Sequence, residues 1–153
     1  LTRPERITGL VLVDGLAYHP PAPHGQDPFL HGLRANYAAT VERFVDLCVP
    51  EPDSDHLRRW GRQILARADQ AAAIALYQAV DEVDLRSRLH AIQQPALILH
   101  GAADMILPVA SSQWLASVLP HSELHIFPDA GHVPTVTRPA AVAAHIATYF
   151  AGR

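Results

Sequence analysis

The sequence predicts an α/β fold with parallel strands, on three observations. Residues 7–13, Ile-Thr-Gly-Leu-Val-Leu-Val, form a continuous apolar run of strand length, the pattern of a strand buried on both faces. From residue 93 onward the order is strand, loop, helix, strand, loop, helix, an alternation that builds parallel sheets. Between these parts lies a long helical stretch, more than the single crossover helix that two parallel strands need.

Taken in order, the first strand stops at Asp14-Gly15. Residues 16–27 hold Pro20, Pro21 and Pro23 together with His19 and His24, and no helical period survives that proline density, so the segment reads as an excursion from the sheet. From Pro28 to Cys48 the apolar positions Leu30, Leu33, Tyr37, Val41, Phe44 and Cys48 recur at steps of three and four. That spacing predicts one amphipathic helix with Pro28 in its first turn. The Pro50-Glu-Pro-Asp-Ser-Asp55 segment ends it and offers Ser54 as N-cap for a second helix over 54–67; an Ala-rich third follows over 70–80. The second strand is predicted over 96–100, the third over 123–127, with helices over 109–118 and 139–150. Three strands make a small sheet, and an apolar strand such as 7–13 needs neighbours on both sides. The division expected is a core strand in 1–15, a helical lid in 16–92 and an α/β core in 93–153, the whole forming part of a sheet that has been cut.

Composition narrows the class. The 153 residues are 49% hydrophobic with a net charge of −3, which fits a soluble globular domain and lacks the concentrated basic charge of a nucleic-acid binder. No run reaches the roughly 18 apolar residues of a membrane span, so the expectation is a cytoplasmic protein without a membrane partner. The single cysteine, Cys48, excludes an internal disulfide and a cysteine-based zinc cluster. All twelve cations are Arg, a bias without functional weight.

The chemistry concentrates at two loops. His100-Gly-Ala-Ala-Asp104 follows the second strand, and Gly131-His132 follows the third; strand carboxyl ends are where open α/β sheets place their ligands. A neutral imidazole takes a hydroxyl proton only in the right tautomer, and a carboxylate on its other nitrogen holds that tautomer and stabilises the imidazolium. Asp104 and His132 suit those roles, with Gly101 and Gly131 freeing the adjacent backbone of a Cβ. If so, an Asp104 oxygen should lie about 2.6–3.2 Å from a ring nitrogen of His132.

A hydrolase triad in this chain order also needs an upstream serine on a G-x-S-x-G elbow. None of Ser54, Ser87, Ser111, Ser112, Ser117 and Ser122 has glycine two positions to either side. Asp14, at the end of the first strand, is an alternative acid, and Asp129 a turn residue. His121 and His125, His19, His24 and His31 have no ligand spacing, so neither metal nor cofactor is expected. Tyr37, Phe44, Trp60 and Tyr77 are candidates to line an acyl pocket. Arg58, Arg59, Arg62 and Arg67 form a basic helix face open to an anionic partner or to solvent.

These segments resemble the α/β-hydrolase superfamily. Arg3-Pro-Glu-Arg-Ile7 leading to Leu10-Val-Leu-Val-Asp14 looks like its entry to the sixth strand. Leu97-Ile-Leu-His-Gly101 with Asp104 and Pro108 looks like its acid loop, and Phe127-Pro-Asp-Ala-Gly-His132 with Arg138-Pro139 like its histidine loop and last helix. Within it, Thr40-Val-Glu-Arg-Phe44 and Pro120-His-Ser-Glu123 are similar to the pimeloyl-acyl-carrier-protein methyl ester esterases. The resemblance implies the C-terminal part of an α/β-hydrolase fold with a helical lid. It implies a serine hydrolase acting on a small ester or acyl substrate, free or carrier-bound, with the N-terminal half, the nucleophile and the oxyanion loop lying elsewhere. The chain alone is then expected to be inactive. Other chemistry of the same fold, such as C–C bond, epoxide or thioester hydrolysis, and a non-catalytic binding module are the alternatives.

Overall fold

The structure, a computed structural model, describes residues 3–20, 26–81 and 83–151. Three parallel strands, β1 (Leu10–Val13), β2 (Ala96–Gly101) and β3 (Ser122–Phe127), form one sheet in the order β1-β2-β3. Between β1 and β2 run α1 (Pro28–Ala35), α2 (Tyr37–Cys48), α3 (Asp55–Leu65) and α4 (Gln70–Asp81). Helix α5 (Val109–Val118) follows β2, and α6 (Pro134–Thr137) and α7 (Pro139–Phe150) follow β3.

Strand β2 is buried along its whole length, and its period-two alternation divides the core. Ala96 and Ile98 pack with Leu10, Leu12, Leu89, Leu115, Leu119 and Leu124 on the α5 side. Leu97 and Leu99 pack with Val13, Phe127, Val142, Ile146 and Tyr149 on the α7 side. A continuous apolar run is what such a two-faced position requires. The register pairs Val13 with Leu99, so one step further Asp14 comes level with His100, on the α5 face.

Two elements differ from the sequence expectation. Strand β1 begins at Leu10 rather than Ile7, because its partner begins beside Pro95. The Pro95 carbonyl accepts from Leu10 N (2.8 Å), but proline has no N–H with which to continue the ladder. The single helix expected over 28–48 is two helices broken at Asn36, whose backbone is extended (φ −153°, ψ 85°) and whose side chain caps α2 by accepting from Ala39 N (3.2 Å). A capping side chain competes with helix continuation, so the apolar period runs unbroken through a chain that bends. Ser54 precedes α3 but makes no capping bond; its hydroxyl donates to the Pro52 carbonyl instead. A 3₁₀ turn at Arg86–Ala91 and the short α6 were not anticipated. Of the proline-rich excursion, Pro21, Pro23 and His24 lie outside the described residues. No described helix is long and apolar enough to cross a membrane.

Candidate active site

Two loops at adjacent strand ends are held against each other by backbone contact. An added Cβ on Gly101 would meet the Gly131 carbonyl oxygen at 2.0 Å and that of Ala130 at 2.4 Å. One on Gly131 would meet Pro50 Cδ at 2.3 Å and the Cys48 carbonyl oxygen at 2.8 Å. Close approach, not a left-handed backbone, therefore requires these two glycines. The end of α2 and the link to α3 complete the clamp: His132 N donates to the Cys48 carbonyl (3.0 Å), and Gly131 N donates to the buried Glu51 carboxylate (2.8 Å). Arg58 holds that link in turn, donating to the Val49 and Glu51 carbonyls (2.7 and 3.0 Å). Glu51 lies in a proline-flanked turn, and nothing in its sequence surroundings marks it as a partner of the histidine loop.

Within this frame Asp104 Oδ2 lies 2.8 Å from Nδ1 of His132. Its other oxygen accepts from Ile106 N (2.7 Å) and Leu107 N (2.9 Å) in a tight turn that orients the carboxylate. Burial opposes the charge on Asp104, but the hydrogen bonds from His132 and from the two backbone amides outweigh it and hold the carboxyl below the usual carboxylate range. The acid side chain is fully buried, whereas the imidazole is 22% exposed. A carboxylate on Nδ1 leaves Nε2 as the basic nitrogen, the arrangement that takes a proton from a hydroxyl and returns it to a leaving group. None of the six serine hydroxyls hydrogen-bonds to His132: those of Ser54, Ser117 and Ser122 donate to nearby carbonyls, and that of Ser112 faces His100.

Behind the pair, buried His100 places Nε2 3.2 Å from the Leu107 carbonyl and 3.4 Å from Asp104 Oδ2, and Nδ1 2.7 Å from Ser112 Oγ. Asp14 accepts from Gly101 N (3.0 Å) on one oxygen, while its other oxygen is buried without a partner. Burial pushes the Asp14 carboxyl up to about 6, against the lowering effects of the Gly101 amide and the His100 ring. Asp14 sits at φ 44°, a left-handed backbone that Asp and Asn tolerate better than bulkier residues. Donor atoms of Asp14, His100 and Asp104 lie within 4.8 Å of one another, yet His100 and Asp104 spend theirs on partners within the chain, so the group is a hydrogen-bonding cluster. Cys48 is buried beside it; burial, then the Asp104 charge, pushes its thiol up to about 12. Asp129 is paired with Arg138 (2.8 Å) and takes no part.

A cavity of about 590 Å³ opens between the α1–α2–α4 helices and the Asp104 turn, lined among others by Phe29, Thr40, Arg43, Phe44, Tyr77 and Ile106. Phe44 and Tyr77 are thus wall residues. Tyr37 and Trp60 are not: the Tyr37 hydroxyl donates to the Leu65 carbonyl (3.1 Å), tying α2 to α3, and Trp60 is 52% exposed on α3. A helix periodicity records which face is apolar, not which helix that face meets. Of the four arginines, Arg58 pairs with Asp55 and Arg62 with Asp46, while Arg59 and Arg67 lie exposed.

Among curated proteins, the chain is 30% identical over 151 residues to the pimeloyl-[acyl-carrier protein] methyl ester esterase of Nitrosomonas europaea, covering 91% of this chain and 60% of that protein. The same enzyme from Aromatoleum aromaticum is 33% identical over 118 residues (72% and 46% covered). The putative carbamate hydrolase RutD of Klebsiella pneumoniae is 29% identical over 149 residues (90% and 54%). The chain thus spans about half to three-fifths of the length of these relatives. Among solved structures, a hydrolase from Pseudomonas aeruginosa superposes with a TM-score of 0.84 at 24% identity, covering 98% of this chain and 57% of that one. The esterase EaEST from Exiguobacterium antarcticum gives 0.81 at 18% (93% and 56%). These likenesses establish a common fold, and the match of a family model across residues 1–145 makes the chain a member of the alpha/beta hydrolase family.

Proposed function

We propose that this chain is the acid- and histidine-bearing part of a serine hydrolase acting on carboxylic esters. The observation that carries the reading is the 2.8 Å contact between Asp104 Oδ2 and His132 Nδ1 at adjacent strand ends. In the proposed cycle Nε2 of His132 takes the proton of a serine hydroxyl as its oxygen attacks the ester carbonyl. The imidazolium, stabilised by Asp104, then gives that proton to the departing alkoxide, leaving an acyl-enzyme. Water, deprotonated by the same nitrogen, attacks the acyl carbon; the proton returns to the serine as the acid leaves. None of the six serines hydrogen-bonds to His132, and in this reading the nucleophile and the oxyanion donors are supplied by polypeptide outside residues 1–153.

The α1–α4 region acts as a lid, and the cavity beneath it, walled by Phe44 and Tyr77, is the acyl site. A methyl ester of a carrier-bound acyl chain is the favoured substrate class, supported by the names of the Nitrosomonas and Aromatoleum relatives and by exposed Arg59 and Arg67. The carbamate hydrolase relative favours a second reading, attack on a carbamate by the same apparatus.

Residues 1–153 alone are expected to hydrolyse p-nitrophenyl esters no faster than buffer; turnover lost on His132→Ala would show that they hold a nucleophile. Joined to polypeptide carrying a G-x-S-x-G elbow, the protein is expected to turn over esters, with kcat falling by about 10⁴- to 10⁶-fold in His132→Ala. A change of less than tenfold would overturn the reading.

A further inference from the structure

A second imidazole, which ester cleavage by a triad does not call for, lies behind the Asp104–His132 pair. His100 is fully buried at the end of β2, and a buried polar ring must have its hydrogen bonds satisfied. Its environment assigns the tautomer. The Leu107 carbonyl, 3.2 Å from Nε2, can only accept, so Nε2 carries the proton. Nδ1 is then left to accept from the Ser112 hydroxyl at 2.7 Å. Ser112 is itself buried on α5, so a rigid helix supplies the donor that keeps the ring in this form.

The proton on Nε2 goes to the Leu107 carbonyl. Asp104 Oδ2, the oxygen that accepts from His132, lies 3.4 Å from the same nitrogen, an electrostatic contact beside that hydrogen bond. Leu107 is thereby held at both ends, its amide by Asp104 Oδ1 (2.9 Å) and its carbonyl by His100. Ile106 and Leu107 also line the 590 Å³ cavity. One ring thus braces the carboxylate, the turn that presents it and part of the cavity wall.

We infer that His100 is a positioning residue for Asp104: locked by Ser112 with its proton on Nε2, it fixes the carboxylate oxygen and the turn that together set the tautomer of His132. This rests on Asp104 and His132 working as a pair, as proposed above. The role is mechanical and electrostatic at once, because an acid with donors on both oxygens stays ionised and cannot swing away from the imidazole.

The test is nuclear magnetic resonance of the 153-residue chain with ring-¹⁵N histidine, at a concentration where sedimentation finds monomer. In the wild type, His132 is expected to show a hydrogen-bonded, slowly exchanging Nδ1 proton, and His100 one protonated nitrogen, Nε2. His100→Leu is expected to abolish the slowly exchanging His132 proton. His100→Gln, whose amide nitrogen reaches close to where Nε2 stood, is expected to keep it. Ser112→Ala, which removes only one oxygen, tests the same claim if His100→Leu does not fold: the His100 ring nitrogens should move toward tautomer-averaged shifts and the His132 proton should exchange faster. An unchanged His132 signal in folded His100→Leu, or unchanged rings in Ser112→Ala, overturns the inference and leaves the Asp104–His132 pair standing. A wild type without any hydrogen-bonded Nδ1 proton on His132 overturns the pair itself, and this inference with it.

Discussion

Asp14 and Asp104 show how position sets the behaviour of one residue type. Both are buried beside His100, yet the hydrogen bonds to Asp104 keep it ionised, while Asp14 has one acceptor oxygen without a partner and is pushed up to about 6. A carboxyl whose folded value exceeds its unfolded value contributes stability below the unfolded value, and that contribution is lost as pH rises through the folded one. For Asp14 the window runs from 3.8 to about 6, and the rise corresponds to roughly 3 kcal/mol. Asn at this position keeps the acceptor for Gly101 N and tolerates the left-handed backbone. The melting temperature of Asp14→Asn minus that of the wild type is therefore expected to be more positive at pH 8 than at pH 4.5. A difference that does not change with pH would show that Asp14 has an ordinary carboxyl.

At the scale of the element, the acid loop and the histidine loop act as one unit because backbone touches backbone at Gly101 and Gly131. Gly101→Ala would bring a methyl to 2.0 Å from the Gly131 carbonyl oxygen, and main chain cannot rotate aside as a side chain can. The expected cost is about 1–3 kcal/mol in denaturant unfolding, the range for overpacking a tight site. The His132 loop should be displaced with it. Gly15, whose added Cβ meets nothing within 4 Å, is the control: Gly15→Ala should stay within about 0.5 kcal/mol of wild type. Equal losses in the two variants would mean that the close approach is not what requires glycine at residue 101.

For the whole molecule, the sheet edge is the main liability. Strand β1 pairs with β2 on one side only among the described residues, and Val11 and Ile7 are 36% and 38% exposed. An apolar edge strand presents unpaired amides and carbonyls to any matching strand, and burying one Val or Leu side chain contributes about 1.5–3 kcal/mol. The 153-residue chain is expected to self-associate, its sedimentation coefficient rising with concentration, and Val11→Lys should shift it toward monomer. A monodisperse monomer across the micromolar range would show that this edge is protected.

What the sequence alone determined follows from patterns that are local in the chain. Short continuous apolar runs and the strand–loop–helix alternation made β1 to β3 legible. Strand-end placement and loop chemistry single out Asp104 and His132, and the motifs around them point to the family. Phe44 shares the apolar stripe of residues 28–48 with Tyr37, yet Phe44 lines the cavity while the Tyr37 hydroxyl meets the Leu65 carbonyl of α3. Only tertiary structure separates these, because helical period reports burial and not the identity of the neighbour. Likewise the contacts of Glu51, Ser112 and His100 became visible only with the fold. Their partners Gly131, His100 and Leu107 are brought to them by sheet register and loop contact, and a hydrogen bond between residues far apart in sequence leaves no periodic trace in either segment.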